Sequence, residues 1–238
     1  VNPKDQYFIG ENAGVTSYSN GYYLHINEIQ TKNWKPLYKK SDQIKDFILK
    51  GDTIYYRTSK GAPNFEIKKT SIKNPDFDNA EVLVKEKKDT IIIDYSITSE
   101  GLYFVTSNNG VEANLFKLNK HKQTEIKLPY VFGNISLLAK DISQSELYIT
   151  TRGWLTPQKR YRYKEGLLTE RDLNPSIKND LIKDIVVQEI EVPSHDGEKI
   201  PLSIMYKKSI LKNDGSNITM MDGYGAYGIP IKPVVSMR

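Results

Sequence analysis

Gln6-Tyr7-Phe8-Ile9, Ile54-Tyr55-Tyr56-Arg57, Leu102-Tyr103-Phe104-Val105 and Leu147-Tyr148-Ile149-Thr150 share one pattern, a short strand-forming run with tyrosine at its second position. The four tyrosines lie 48, 48 and 45 residues apart. Each run is followed by a polar turn region and then by a second apolar run: residues 22–29, 65–72, 115–118 and 161–163. Every unit therefore reads as a β-hairpin. A further strand candidate precedes the later three hairpins, at residues 44–49, 90–97 and 135–139, and short runs such as 80–84 and 124–127 supply a fourth. Aromatic and β-branched residues suit a pleated, half-buried surface, and the Gly, Asn, Asp and Pro between the runs punctuate it. Four short strands recurring at this interval is the period of a β-propeller blade, a small sheet that covers its faces only by stacking on its neighbours. An irregular β-sandwich with coincidental spacing is the competing fold. Agreement among three intervals, each containing the same hairpin, favours an all-β propeller with about four visible blades.

Working outward, helix has no place before about residue 175. Four blades alone would leave wide apolar faces open to water, so earlier blades are expected upstream. The opening Val1-Asn2-Pro3-Lys4, without an initiator methionine, agrees with that expectation.

Composition narrows the function classes. The 34 basic and 29 acidic residues give a net charge of +5, and they are interleaved apart from short runs such as Lys85 to Lys88. That is the pattern of a solvated surface rather than of a nucleic-acid site. Cysteine is absent, which excludes disulfides and thiol chemistry, and the three histidines, His25, His121 and His195, are too scattered for a histidine-rich metal site. No apolar stretch approaches the length needed to cross a membrane as a helix, and the N-terminal residues lack a signal pattern. The chain reads as soluble, with the compartment open between cytoplasm and periplasm.

The pattern changes near Asn174. Residues 174–184 read as a polar, partly helical connector, and Ile185 to Val192 then alternates as a strand. Asp196-Gly197 predicts a hairpin turn in which both residues take positive φ, returning through a second strand at residues 200–206. After a basic loop rich in Asn, Asp and Gly comes the apolar run Ile218-Thr219-Met220-Met221, expected to end as a strand at Asp222-Gly223-Tyr224-Gly225-Ala226-Tyr227-Gly228. The predicted domains are 1–184 and 185–238.

These residues carry a resemblance. Val192-Pro193-Ser194-His195-Asp196-Gly197-Glu198-Lys199-Ile200-Pro201-Leu202, then Asp214-Gly215-Ser216-Asn217, then Gly223 to Gly228, resemble the opening of the prolyl oligopeptidase catalytic domain. Arg57-Thr58-Ser59-Lys60-Gly61-Ala62-Pro63-Asn64-Phe65 and Leu155-Thr156-Pro157 resemble propeller segments of the same family. The resemblance implies the later blades of an expected seven, followed by the first strands of an α/β-hydrolase domain. It implies a monomeric serine peptidase acting on oligopeptides after proline, with no metal or organic cofactor and no nucleic-acid or membrane partner. It assigns Tyr224 as a hydroxyl donor to the oxyanion of the tetrahedral intermediate and Tyr227 to the substrate pocket. Asp222 departs from the family, which more often carries an apolar or aromatic residue there, and a carboxylate beside an oxyanion opposes the developing charge unless it points away or is paired.

Other candidates are weaker. Ser194-His195-Asp196 spells a catalytic trio, but consecutive residues point different ways, whereas a triad needs side chains converging from separate positions. A solvent-exposed turn is the better reading. No Gly-x-Ser-x-Gly elbow occurs, so the nucleophile is expected beyond Arg238 and the chain alone is expected to be inactive. Two alternatives stay open: an oligopeptidase B-like enzyme cutting after Lys or Arg, and a stand-alone propeller acting as a protein-binding module.

Overall fold

The computed structural model describes residues 6–12, 14–171, 182–212, 214–225 and 230–235. Its sheets follow the repeat. A three-stranded sheet of β1 (Tyr7–Asn12), β2 (Asn20–His25) and β3 (Lys35–Tyr38) is followed by three four-stranded antiparallel sheets. The first of these holds β4 (Ile44–Lys50), β5 (Thr53–Thr58), β6 (Glu66–Ser71) and β7 (Glu81–Val84). Next come β8 (Ile91–Thr98), β9 (Gly101–Asn108), β10 (Glu112–Asn119) and β11 (Lys122–Ile126), and then β12 (Asn134–Leu138), β13 (Leu147–Arg152), β14 (Lys159–Lys164) and β15 (Leu167–Arg171). Within each sheet the strands pair in chain order, so every sheet is a local meander. We call the four sheets blades one to four.

Tyr55, Tyr103 and Tyr148 occupy equivalent places in the second strands of their blades. Each lies opposite a cation on the third strand: Tyr55 opposite Lys69, Tyr103 opposite Lys117, Tyr148 opposite Arg162. Because successive side chains of a strand point to opposite faces, each blade presents alternate residues to its two neighbours. In β9, Leu102 and Phe104 face blade two while Tyr103 and Val105 face blade four. The apolar core is accordingly divided among three seams, between blades one and two, two and three, and three and four.

Polar stitches cross the same seams. The register slips between Ile44 and Asp46 in β4 and between Ile92 and Asp94 in β8, a β-bulge recurring at the repeat interval. In both blades an aspartate at the bulge joins a polar contact that reaches the next blade. Asp46 pairs with the buried Arg57, whose Nη1 donates to the Ile92 carbonyl at 2.7 Å. Asp94 accepts the Leu137 N–H of blade four and the Tyr95 N–H, each at 2.8 Å. Burial raises the pKa of Asp94, the two N–H bonds opposing it.

Three expectations are corrected. The run expected over residues 22–29 leaves the sheet after His25 for a 3₁₀ turn, Ile26–Glu28, capped by the His25 side chain. The strand β16 (Ile185–Pro193) does form a hairpin with β17 (Lys199–Lys207), but only Gly197 takes positive φ, at 87°. Pro193 pairs with Lys199 and the Ser194 N–H reaches the Glu198 carbonyl at 2.7 Å, so the loop is one residue longer than a two-residue turn and needs a single left-handed position. Residues 218–221 form no strand, and Ile218 and Met220 are 102% and 91% exposed. A strand needs a neighbour to take its backbone hydrogen bonds, and no strand of the described residues lies beside this run. The connector expected at 174–184 lies largely outside the described residues.

Candidate functional site

Segment 222–225, where the chemistry is expected, is irregular. Tyr224 is 52% exposed and Asp222 is exposed beside it. Gly223 and Gly225 do not take positive φ, and a Cβ built on either would meet nothing within 4 Å. Neither position therefore requires glycine in this structure. Tyr227 lies outside the described residues.

Ser194, His195 and Asp196 sit on the β16–β17 loop. Ser194 Oγ is 3.3 Å from His195 Nδ1. Asp196 Oδ1 accepts the Glu198 N–H at 3.2 Å, and that backbone bond, with one from the Ser194 side chain, lowers its pKa. The carboxylate therefore braces the turn and does not orient the imidazole, as the geometry of consecutive residues dictates. His25 serves as a cap, its Nδ1 accepting the Asn27 N–H at 3.2 Å, and His121 is exposed in the turn between β10 and β11.

Two contacts seat the C-terminal part on the propeller. Trp154, in the β13–β14 connection, donates its indole N–H to Glu189 of β16 at 3.1 Å, and Ser203 Oγ donates to the second oxygen of Glu189 at 2.6 Å. Pro233 is buried against Gly133, where an added Cβ would fall 2.1 Å from its Cγ and 2.8 Å from the Val111 carbonyl. Gly133, Val111 and Trp154 lie at the same ends of their strands: Gly133 N–H donates to the Arg152 carbonyl at 3.1 Å, and Ala113 N–H to the Phe132 carbonyl at 2.7 Å. One end of blades three and four thus receives both the hairpin and the tail that follows Tyr224. A hollow of about 370 Å³ opens at the other ends of these strands, beside Lys117, Tyr163 and Gly166, and involves none of the predicted site residues.

The model of the prolyl oligopeptidase N-terminal β-propeller domain matches residues 5–166, more than half of the chain. The chain belongs to the prolyl oligopeptidase family. The prolyl endopeptidase of Elizabethkingia meningoseptica is 28% identical over 242 residues, covering 100% of this chain and 33% of that protein. Prolyl oligopeptidase A of Amanita bisporigera is 25% identical over 220 residues, covering 90% of this chain and 28% of that protein. Among solved structures, one from a study of two prolyl endopeptidases superposes with a TM-score of 0.81 at 20% identity, over 98% of this chain and 34% of that chain. Oligopeptidase B from Trypanosoma brucei superposes with a TM-score of 0.71 at 18% identity, over 97% and 36%. The chain spans about a third of the length of these relatives. Family membership agrees with the all-β propeller and with a peptidase relationship, and the propeller is the family's non-catalytic part.

The contact residues Gly133, Trp154, Glu189 and Pro233 escaped sequence reasoning. Each is ordinary in its local context, and partners 35 residues or more apart leave no periodic trace.

Proposed function

We propose that the chain supplies the last propeller blades and the opening strands of a monomeric serine-type oligopeptidase that hydrolyses short peptides on the carboxyl side of proline. Residues 1–184 form the propeller part and residues 185–238 open the α/β-hydrolase peptidase domain. The observation that carries this reading is the family membership, joined to full coverage of the chain by a prolyl endopeptidase. Supporting it, the exposed apolar run at 218–221 is what the first strand of a larger sheet would present before its neighbours are added.

In this reading the serine, histidine and aspartate of the triad belong to residues beyond Arg238. The serine oxygen attacks the scissile carbonyl carbon, its proton passes to histidine, and the carbonyl oxygen becomes an oxyanion. Tyr224 donates its hydroxyl to that oxyanion beside a backbone N–H, and Tyr227 lines the substrate pocket. The exposed position of Asp222 lets water screen its charge. The propeller covers the site and restricts it to oligopeptides. No metal or organic cofactor enters such a mechanism.

The test is hydrolysis by the full-length protein of fluorogenic peptides that differ only in Pro, Lys or Arg before the scissile bond, together with a folded protein carrying the preferred sequence. Cleavage after proline, with the folded protein spared, is expected. Preference for Lys or Arg would replace this reading with the oligopeptidase B-like one, and absence of any cleavage would favour a binding module. Equal attack on the folded protein would remove the gating role.

A further inference from the structure

Asparagine stands directly before glycine twice in the chain, at Asn20-Gly21 and at Asn109-Gly110. One reaction is open to such a pair. The main-chain nitrogen of the glycine attacks the side-chain carbonyl carbon of the asparagine, and glycine, having no Cβ, neither shields that nitrogen nor restricts the rotation that brings it there. The new carbon–nitrogen bond closes a succinimide ring. The bond from that carbon to the side-chain nitrogen breaks, and ammonia leaves with the proton that the glycine amide gives up. Solvent water then opens the ring at either carbonyl, leaving aspartate or isoaspartate. In a folded chain the rate depends on how freely the glycine peptide swings toward the side chain, which local structure decides.

The fold treats the two pairs in opposite ways. Gly21 is buried inside β2, between Glu11 of β1 and Tyr38 of β3, and an added Cβ would run into the Tyr38 ring. Asn20 is paired with Asn12 in the same ladder, and its Oδ1 accepts the Lys40 N–H at 2.8 Å. Rotating the peptide between Asn20 and Gly21 would strip backbone hydrogen bonds and displace Tyr38.

Asn109 and Gly110 are instead the central residues of the turn between β9 and β10, with φ of 49° and 75°. Asparagine is one of the few side chains that tolerate this left-handed region. The turn closes through a single backbone bond, from the Val111 N–H to the Asn108 carbonyl at 3.1 Å. Asn109 is exposed, and among the described residues neither its side-chain amide nor the Gly110 N–H has a hydrogen-bond partner. A Cβ added at Gly110 would meet nothing within 4 Å, so no neighbour blocks the rotation.

We propose that Asn109 is a self-modification site, at which the Gly110 nitrogen closes a succinimide on the Asn109 side chain and water opens it to aspartate and isoaspartate, while Asn20 stays intact in the folded protein. The site borders a working part of the molecule. Val111, the next residue of the turn, presents the carbonyl that abuts Gly133 where Pro233 packs, at the end of blades three and four that receives the C-terminal part. Ring opening leaves a negative charge beside that end. The isoaspartyl product also lengthens the backbone of the turn by one carbon, which the bond between Val111 and Asn108 has to span. This rests on the hairpin of blade three, and it holds whatever the peptidase specificity proves to be.

The experiment ages the full-length protein in neutral and in mildly alkaline buffer and follows both asparagines by peptide mapping and mass spectrometry, with fragmentation that separates isoaspartate from aspartate. The same protein in guanidinium chloride is the reference, since there the fold protects neither pair. In the folded protein Asn109 should convert about tenfold faster than Asn20 or more, because Asn20 has to wait for its ladder to open. Conversion at Asn109 should quicken at the higher pH, since the Gly110 nitrogen attacks after losing its proton. In denaturant the two rates should draw together. Asn109→Gln, whose longer side chain must close a larger and slower-forming ring, should leave that turn unmodified and Asn20 unchanged. The proposal falls if Asn109 keeps its amide through ageing, if the two asparagines convert equally in the folded protein, or if the gap between them persists in denaturant.

Discussion

Blades two to four and the region from Ile185 onward are built from the same kinds of residue, yet they treat apolar side chains in opposite ways. In the blades, Tyr103 and Leu147 are 0% exposed and Ile149 is 1%. In the later region, Ile218, Met220 and Met221 stand almost wholly in water and Leu202 is 37% exposed. The backbone is not the difference, since β16 and β17 pair over their whole length. A two-stranded ribbon satisfies its own hydrogen bonds and has no second layer to bury its faces. A blade obtains that layer from its neighbour within the next fifty or so residues, so a propeller tolerates division between blades far better than a doubly wound sheet tolerates division between strands.

The sharpest way to break this comparison is to ask the isolated chain for catalysis. If the later region is only the opening of a peptidase domain, an oxyanion donor without nucleophile and base stabilises an intermediate that never forms, and hydrolysis should be absent. Turnover of a proline peptide by highly purified chain, blocked by a serine-directed inhibitor, would overturn that view.

Next in size is Tyr224→Phe in the full-length protein. Removal of one hydroxyl keeps the ring and its packing, while loss of an oxyanion donor costs on the order of 10² to 10³ in kcat with KM nearly unchanged. A folded variant within about threefold of wild-type kcat would show that Tyr224 is merely an exposed aromatic.

Truncating one side chain in each region compares them directly. Leu115→Ala, at 1% exposure in the seam of blades three and four, should lower unfolding stability by about 2–5 kcal/mol. Met220→Ala in this chain should change it by less than about 0.5 kcal/mol. Equal losses in a denaturant titration would mean that the later region is as well packed as the blades.

The smallest effect concerns pH. Burial pushes the Glu100 carboxyl up, but the Lys117 ammonium, the Glu165 N–H and the Tyr103 hydroxyl together hold it below its ordinary value of 4.5. A depressed folded pKa gives stability that is present above the unfolded value and is lost as pH falls through the folded one. Lys117→Met removes the principal opposing group, so the variant should melt lower than wild type near pH 7, and the gap should narrow as pH falls because the Glu100 share of the acid-induced loss shrinks. Superimposable pH profiles from pH 7 down to pH 3 would refute this assignment.

Much of the propeller was legible because a blade writes its geometry into short range. The tyrosine repeat located β1 and the second strands of blades two to four, and the bulges at Asp46 and Asp94 fell on the same interval. The strands β3 and β15 gave little signal, since Lys35–Tyr38 is short and carries a proline, and Leu167–Arg171 loses its alternation to the charged open face. The candidate site was less legible. Tyr224 and Tyr227 came from resemblance, and what would fix their positions lies in contacts between distant residues, of which Pro233 against Gly133 is one. Ile218 to Met221 looked like a strand because composition records burial in a complete fold, while pairing requires a neighbour to be present.

The chain-order meander within each blade also bears on how the protein is made. A ribosome releases the four strands of a blade in the order in which they pair, so each sheet can complete its ladder soon after its last strand emerges, without waiting for a distant partner. Growth is then stepwise, every finished blade offering a template face to the one being synthesised.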